Sequence, residues 1–96
     1  MDKRKLVEIV LDSMVAGYAG EKAKTFDPAK HILGPSPRKE IRPHILRMIR
    51  EYRNNPEFEI EFPEFEQNPT VDKYVAELYK RISDKEGREG REVDFR

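Results

Sequence analysis

Three structural signals follow one another in the stretch Phe58-Glu-Ile-Glu-Phe-Pro-Glu-Phe-Glu-Gln-Asn-Pro-Thr-Val-Asp-Lys-Tyr-Val-Ala-Glu-Leu-Tyr-Lys-Arg-Ile82. Apolar residues first alternate with glutamates, which is the period of a half-buried extended chain. A short loop closed by Asn68-Pro69-Thr70 then interrupts the pattern. After it, apolar residues recur at helical spacing. The stretch therefore predicts an extended segment at 57–65, either strand or loop, and a helix over about 70–83.

Two further stretches carry the apolar stripe of an amphipathic helix. The first runs from Lys3 to about Tyr18, and the second from Ile41 to Tyr52. Because a proline in a helix interior costs about 3 kcal/mol, we place Pro43 in the first turn and predict a regular helix over about 43–53. Proline also biases the preceding residue toward extended geometry, so Pro35-Ser36-Pro37 predicts a bend.

These signals predict a mostly α fold, a small bundle of three to four helices in one domain covering residues 1–83. Asp27 and Pro28 suit the start of a short helical turn before Gly34. Residues 84–96 are charged and interrupted by glycines, which predicts a flexible tail. A second apolar alternation at Val93 and Phe95 suggests that 91–96 pairs with 57–65 as a short β-ribbon.

Composition limits the function classes. The 96 residues are 36% hydrophobic and 40% charged, with a formal net charge of zero, so the chain has no global attraction for nucleic acid or anionic lipid. The absence of cysteine excludes disulfides, thiolate zinc sites and iron–sulfur clusters. No stretch reaches the ~18–20 apolar residues of a membrane span. We therefore expect a cytoplasmic protein that does not contact membranes.

The order of these elements resembles acyl and peptidyl carrier proteins, most specifically across residues 58–82. The resemblance extends over about residues 3–83, with Leu33-Gly34-Pro35-Ser36 in the place of the family's attachment motif. It implies a carrier-like helical bundle in which Ser36 would bind phosphopantetheine through its hydroxyl. Pro35 stands where the family has an aspartate, and Pro37 where it has an apolar residue. The following helix is basic, whereas the family's recognition helix is typically acidic.

The basic character of residues 38–53 gives the main functional signal. Their net charge is +4, from six cations and two glutamates, and residues 57–66 carry −5 from five glutamates. The two charges nearly cancel if the segments lie together, and otherwise the helix offers a docking face. For that face we predict protein partners, with nucleic acid as the alternative. Its candidate residues are Arg42, Arg47, Arg50 and Arg53.

Catalytic and metal-binding patterns are weak in this sequence. His31 and His44 stand at no spacing typical of a zinc site. Neither Ser13 nor Ser36 has a convincing histidine–carboxylate arrangement, and the alternating glutamates would repel one another along one edge. We therefore predict no catalytic residues and no metal, and a non-enzymatic binding module.

Overall fold

The computed structural model describes the backbone of residues 1–94 and the side chains of residues 1–87. Three α-helices account for most of it: α1 (Lys3–Met14), α2 (Pro35–Arg53) and α3 (Val71–Asp94). A π-helical turn (Val15–Ala19) and a 3-10 helix (Gly20–Thr25) extend the first helix. The predicted small helical bundle is confirmed.

Helix α1 lies at the centre of the bundle and packs against both other helices. Asp2 caps its N-terminus, because a carboxylate oxygen accepts from the Arg4 backbone N–H at 2.7 Å. Over the described residues, the backbones of α2 and α3 make no direct approach. The chain between them therefore has to fill the space that separates the two helices.

The predicted bend at Pro35-Ser36-Pro37 is wrong, because α2 begins there. Gly34 is the N-cap, so both prolines fall in the first turn, where N–H groups have no intrahelical acceptor in any case. Pro43 lies inside the helix and is exposed to solvent. The burial of apolar residues on the opposite face of α2 therefore outweighs the free-energy cost of a proline in the helix interior. The buried residues of α2 are Arg38, Ile41, Ile45 and Ile49.

Helix α3 starts as predicted but ends later. Thr70 Oγ1 accepts from the Lys73 backbone N–H at 3.2 Å and caps its N-terminus. The helix continues to Asp94, so the predicted end near residue 83 is wrong. Lys85 Nζ donates to the Glu59 carbonyl at 2.5 Å, and the N-terminal ammonium pairs with Glu86 at 2.9 Å. These contacts attach the helix to the bundle beyond residue 83, while the mobility predicted for 84–96 stays a prediction.

The 57–65 segment forms neither helix nor strand. Its alternation is nevertheless realised, since Phe58 is buried, Ile60 and Phe62 are half-buried, and the glutamates between them are exposed. The ribbon with 91–96 is not found: residues 91–94 belong to α3, and 95–96 lie outside the described residues. The isolated bridge in the described chain instead joins Ile32 to Thr70.

Candidate functional site

The C-terminal half of α2 holds the 57–65 segment through two arginines. Arg50 Nε donates to the Phe58 carbonyl at 2.9 Å, and its Nη2 pairs with Glu59 Oε1 at 2.6 Å. The Arg53 guanidinium lies over the Phe58 ring, 4.6 Å from its centroid. A buried ring and a backbone carbonyl are thus both fixed by cations, which links the segment to α2.

Helix α3 contacts the same segment from the other side. Lys85 Nζ lies 5.2 Å from the centroid of the Phe58 ring, and it donates to the Glu59 carbonyl. Arg81 Nη1 donates to the Glu61 carbonyl at 3.4 Å. Backbone carbonyls of the 57–65 segment, which in a β-sheet would accept from a neighbouring strand, therefore accept from side-chain cations. The 57–65 segment fills the space between α2 and α3 in this way.

The N-terminal half of α2 contacts the end of the segment less tightly. Arg42 Nη2 pairs with Glu64 Oε1 at 3.5 Å, and the Arg42 guanidinium lies 5.7 Å from the Phe62 ring centroid. Since Arg42, Arg50 and Arg53 all contact the segment, three of the four predicted docking residues also serve the fold. The near-cancellation of charge expected if the two segments lie together is therefore realised.

Arg38 is another arginine of α2, and it was not among the predicted site residues. It is 7% exposed, and its Nη1 donates to the Leu33 carbonyl at 2.6 Å and to Asn68 Oδ1 at 3.1 Å. The sequence did contain a signal, because Arg38 precedes Ile41 and Ile45 at the spacing of the buried stripe. An arginine at such a position indicates a guanidinium directed toward buried carbonyls.

Arg47 is the predicted docking residue that points away from the segment. It is exposed, and its Nη2 lies 3.4 Å from His44 Nδ1. Beside it, at the end of α2, is a shallow depression of about 340 Å³. Its lining residues are Arg47, Arg50, Glu51, Asn54, Asn55 and Pro56. The structure thus brings Arg47 and Arg50 to one surface feature, whereas Arg42 and Arg53 do not line it.

Ser36 is exposed as the second residue of α2, so its hydroxyl is accessible at a helix N-terminus. A helix N-terminus normally favours phosphate through its free N–H groups. Here Pro35 and Pro37 have no N–H, and the Arg38 N–H already donates to the Gly34 carbonyl at 3.1 Å. The first turn therefore offers a phosphate fewer donors than an ordinary helix would.

Tyr74, in the first turns of α3, is fully buried together with its hydroxyl. Burial raises its pKa to about 12, although the charges of Arg42 and Arg38 act in the opposite direction. Neither the Tyr74 hydroxyl nor Arg42 Nε has a hydrogen-bond partner of regular geometry, even though the two side chains are close enough to influence each other. Two buried polar atoms without a regular hydrogen bond thus lie close together under the end of the 57–65 segment.

The histidines take part in local packing. The His31 ring stacks on Phe26 with centroids 4.0 Å apart, and His44 lies against the π-helical turn near Gly17. No group of three or more potential metal ligands occurs among the residues that the structure describes. None of the helices in that part of the chain has the length and apolar content needed to cross a bilayer.

Comparisons with protein-family models, with curated proteins and with solved structures find no match to this chain. Nothing in them bears on the resemblance to carrier proteins, which stays a prediction, so the functional assignment depends on the residues and their geometry.

Proposed function

We propose that the chain is a non-enzymatic helical module that acts by docking onto a protein partner. The observation that supports it is the position of Arg47, an exposed cation beside the depression at the end of α2. Among the described side chains, no hydrogen bond or ion pair joins Arg47 to the 57–65 segment, so its charge is available to a partner. Arg50 lines the same depression, and its pairing with Glu59 orients it there.

A partner for this surface would present carboxylates to Arg47. Glu51 also lines the depression, so the surface is not uniformly basic and a specific arrangement of charges is favoured over a polyanion. This mixed charge supports a protein partner more than nucleic acid, whose binding needs several phosphate contacts. We place the module in the cytoplasm, which its lack of cysteine fits.

Reversing the charge of Arg47 should weaken docking without unfolding the protein. Partners captured by the wild-type chain and lost with Arg47→Glu are identified by quantitative mass spectrometry, and the association rate is then measured against salt. We expect Arg47→Glu to slow association about threefold to tenfold and to reduce its salt dependence, because rim charges act mainly on the encounter rate. The melting temperature should stay nearly unchanged.

Lys39→Glu is the matched control, since Lys39 is another exposed cation of α2, eight residues from Arg47. It should leave association much closer to wild type. Equal effects of the two reversals, or none, would contradict docking through Arg47. A gel shift with mixed-sequence nucleic acid at low salt tests the alternative. Retardation below about 100 μM protein that Arg47→Glu abolishes would favour nucleic acid as the partner.

Ser36 receives no prosthetic group in this proposal. A promiscuous phosphopantetheinyl transferase with coenzyme A should leave the intact mass of the wild-type chain unchanged, because two prolines flank the serine and remove backbone donors. The double variant Pro35→Asp/Pro37→Leu restores the carrier-like tripeptide and should accept more of the group, while Ser36→Ala should accept none. Quantitative modification of the unaltered chain would make a carrier the better assignment.

A further inference from the structure

The cluster formed by Arg38, Arg42 and Tyr74 contains buried polar atoms that make no hydrogen bond of regular geometry. Arg42 Nε and the Tyr74 hydroxyl are both inaccessible to solvent, and neither makes a hydrogen bond of regular geometry, although the Arg42 side chain lies close enough to the hydroxyl to lower its pKa as a donor would. Phe65 connects the cluster, since its ring centroid lies 5.9 Å from that of Tyr74 and 5.6 Å from the Arg38 guanidinium. Leaving a buried donor unsatisfied costs free energy, so an acceptor placed between these groups would be stabilised.

The cluster also has more positive charge than its contacts neutralise. Both hydrogen bonds of Arg38 go to neutral oxygens, and no ion pair joins it to a carboxylate in the part of the chain whose side chains are described. Among the side chains of residues 1–87, Arg42 pairs only with Glu64, at 3.5 Å, and the Glu64 side chain is 84% exposed. Buried charges are normally paired, so this cluster favours a further anion.

Glu64 is the carboxylate that an incoming anion would replace. Its contact with Arg42 is long for an ion pair, because charge-assisted N–H···O bonds are usually about 2.7–2.9 Å. Its exposure means that it can move into solvent at little cost, since exposed ion pairs contribute little to stability. An oxyanion placed there could accept from two N–H groups of Arg42 and from the Tyr74 hydroxyl together.

We propose that Arg42 and Tyr74, with Arg38 beside them, form a binding site for an oxyanion, a phosphate or carboxylate group, that enters by displacing the Glu64 side chain. The site is separate from the depression next to Arg47, and it does not depend on the docking proposal. It also requires no chemistry at Ser36. Phosphate and carboxylate share the acceptor geometry that a guanidinium edge recognises, and the two probes of the experiment distinguish them.

The experiment uses the full chain labelled with ¹⁵N and follows the side-chain Nε–Hε resonance of Arg42 by NMR. Inorganic phosphate and acetate are titrated separately against sodium chloride at equal ionic strength and pH. We expect a saturable shift of the Arg42 resonance with phosphate, acetate or both, and none with chloride. The stronger of the two responses identifies the preferred chemistry.

Two variants test the assignment of the residues. Glu64→Gln removes the competing charge and should tighten binding about threefold, whereas Glu66→Gln, a matched change at an exposed glutamate with no ion pair to Arg42, should not. Tyr74→Phe should weaken binding about threefold to tenfold through the lost hydrogen bond. Because the hydroxyl makes no hydrogen bond of regular geometry, Tyr74→Phe should also remain folded, with little change in melting temperature.

No shift of Arg42 beyond that caused by chloride would overturn the proposal. Binding that is indifferent to both Glu64→Gln and Tyr74→Phe would overturn it as well, since the anion would then lie elsewhere. If Tyr74→Phe does not fold, the comparison of Glu64→Gln with Glu66→Gln decides alone. Equal affinities of these two glutamate variants would then reject the site.

Discussion

Phe58→Ala should lower the free energy of unfolding by about 3–5 kcal/mol, which is a large part of the 5–15 kcal/mol typical of a small domain. Phe58 is 1% exposed, and the centroid of its ring lies 4.6 Å from the Arg53 guanidinium on α2 and 5.2 Å from Lys85 Nζ on α3. Truncation removes the buried ring and the anchor that both helices share. Urea denaturation followed by far-ultraviolet circular dichroism measures the loss.

Phe62→Ala is the matched control, because it makes the same chemical change in the same segment at a half-buried ring. It should cost less than half as much as Phe58→Ala. Equal losses at the two positions, or a loss below about 1 kcal/mol at Phe58, would show that the 57–65 segment does not contribute to the core as described.

Pro43→Ala should raise the free energy of unfolding by about 2 kcal/mol. Alanine is about 3 kcal/mol more favourable than proline in a helix interior. Removing proline also raises the conformational entropy of the unfolded chain, which offsets up to about 1 kcal/mol of this gain. Pro43 is exposed, so the change removes no buried contact. Thermal unfolding should shift upward by about 8–16 °C, at about 4–8 °C for each kcal/mol in a domain of this size.

Pro35→Ala serves as the control, since Pro35 occupies the first position of the same helix, where proline is tolerated. It should change the melting temperature by only a few degrees. A fall in stability with Pro43→Ala would mean that the helix does not run continuously through residue 43 in solution.

Sequence patterns predicted the helices well where local and tertiary preferences agree. The stripe of α1 and the start of α3 near residue 70 needed only helical periodicity. The start of α2 was mispredicted because the local cost of Pro43 was taken as decisive. Burial of Ile41, Ile45 and Ile49 on one continuous face contributes more than that cost, and a local propensity does not include it.

The end of α3 could not be read from the sequence for a related reason. Residues 84–94 carry two glycines and no continuous apolar stripe, so local preference indicates a loop. The contacts of Lys85 with Phe58 and Glu59 come from a part of the chain 26 residues away. A long-range contact of this kind has no periodic signature.

The sequence identified the arginines of α2 as functional candidates. It did not show which of them hold the 57–65 segment and which face solvent. Charge arithmetic allowed both a docking face and an internal pairing with the glutamates. Which arginine pairs with which group depends on the path of the 57–65 segment across α2. Arg50 meets a carbonyl and a carboxylate there, whereas Arg47, three residues earlier, faces solvent. Helical geometry separates the two by about 60°, which is enough to change their function.

Comparing Arg50→Glu with Arg47→Glu tests most directly whether arginines of α2 hold the 57–65 segment while Arg47 stays available to a partner. Both variants make the same charge change on the same helix, and equilibrium urea unfolding gives their stabilities. We expect Arg50→Glu to lose about 1–3 kcal/mol, because it removes the bond to the Phe58 carbonyl and places a like charge beside Glu59. Arg47→Glu should lose less than about 0.5 kcal/mol. Equal losses, or a larger loss at Arg47, would contradict this division of roles.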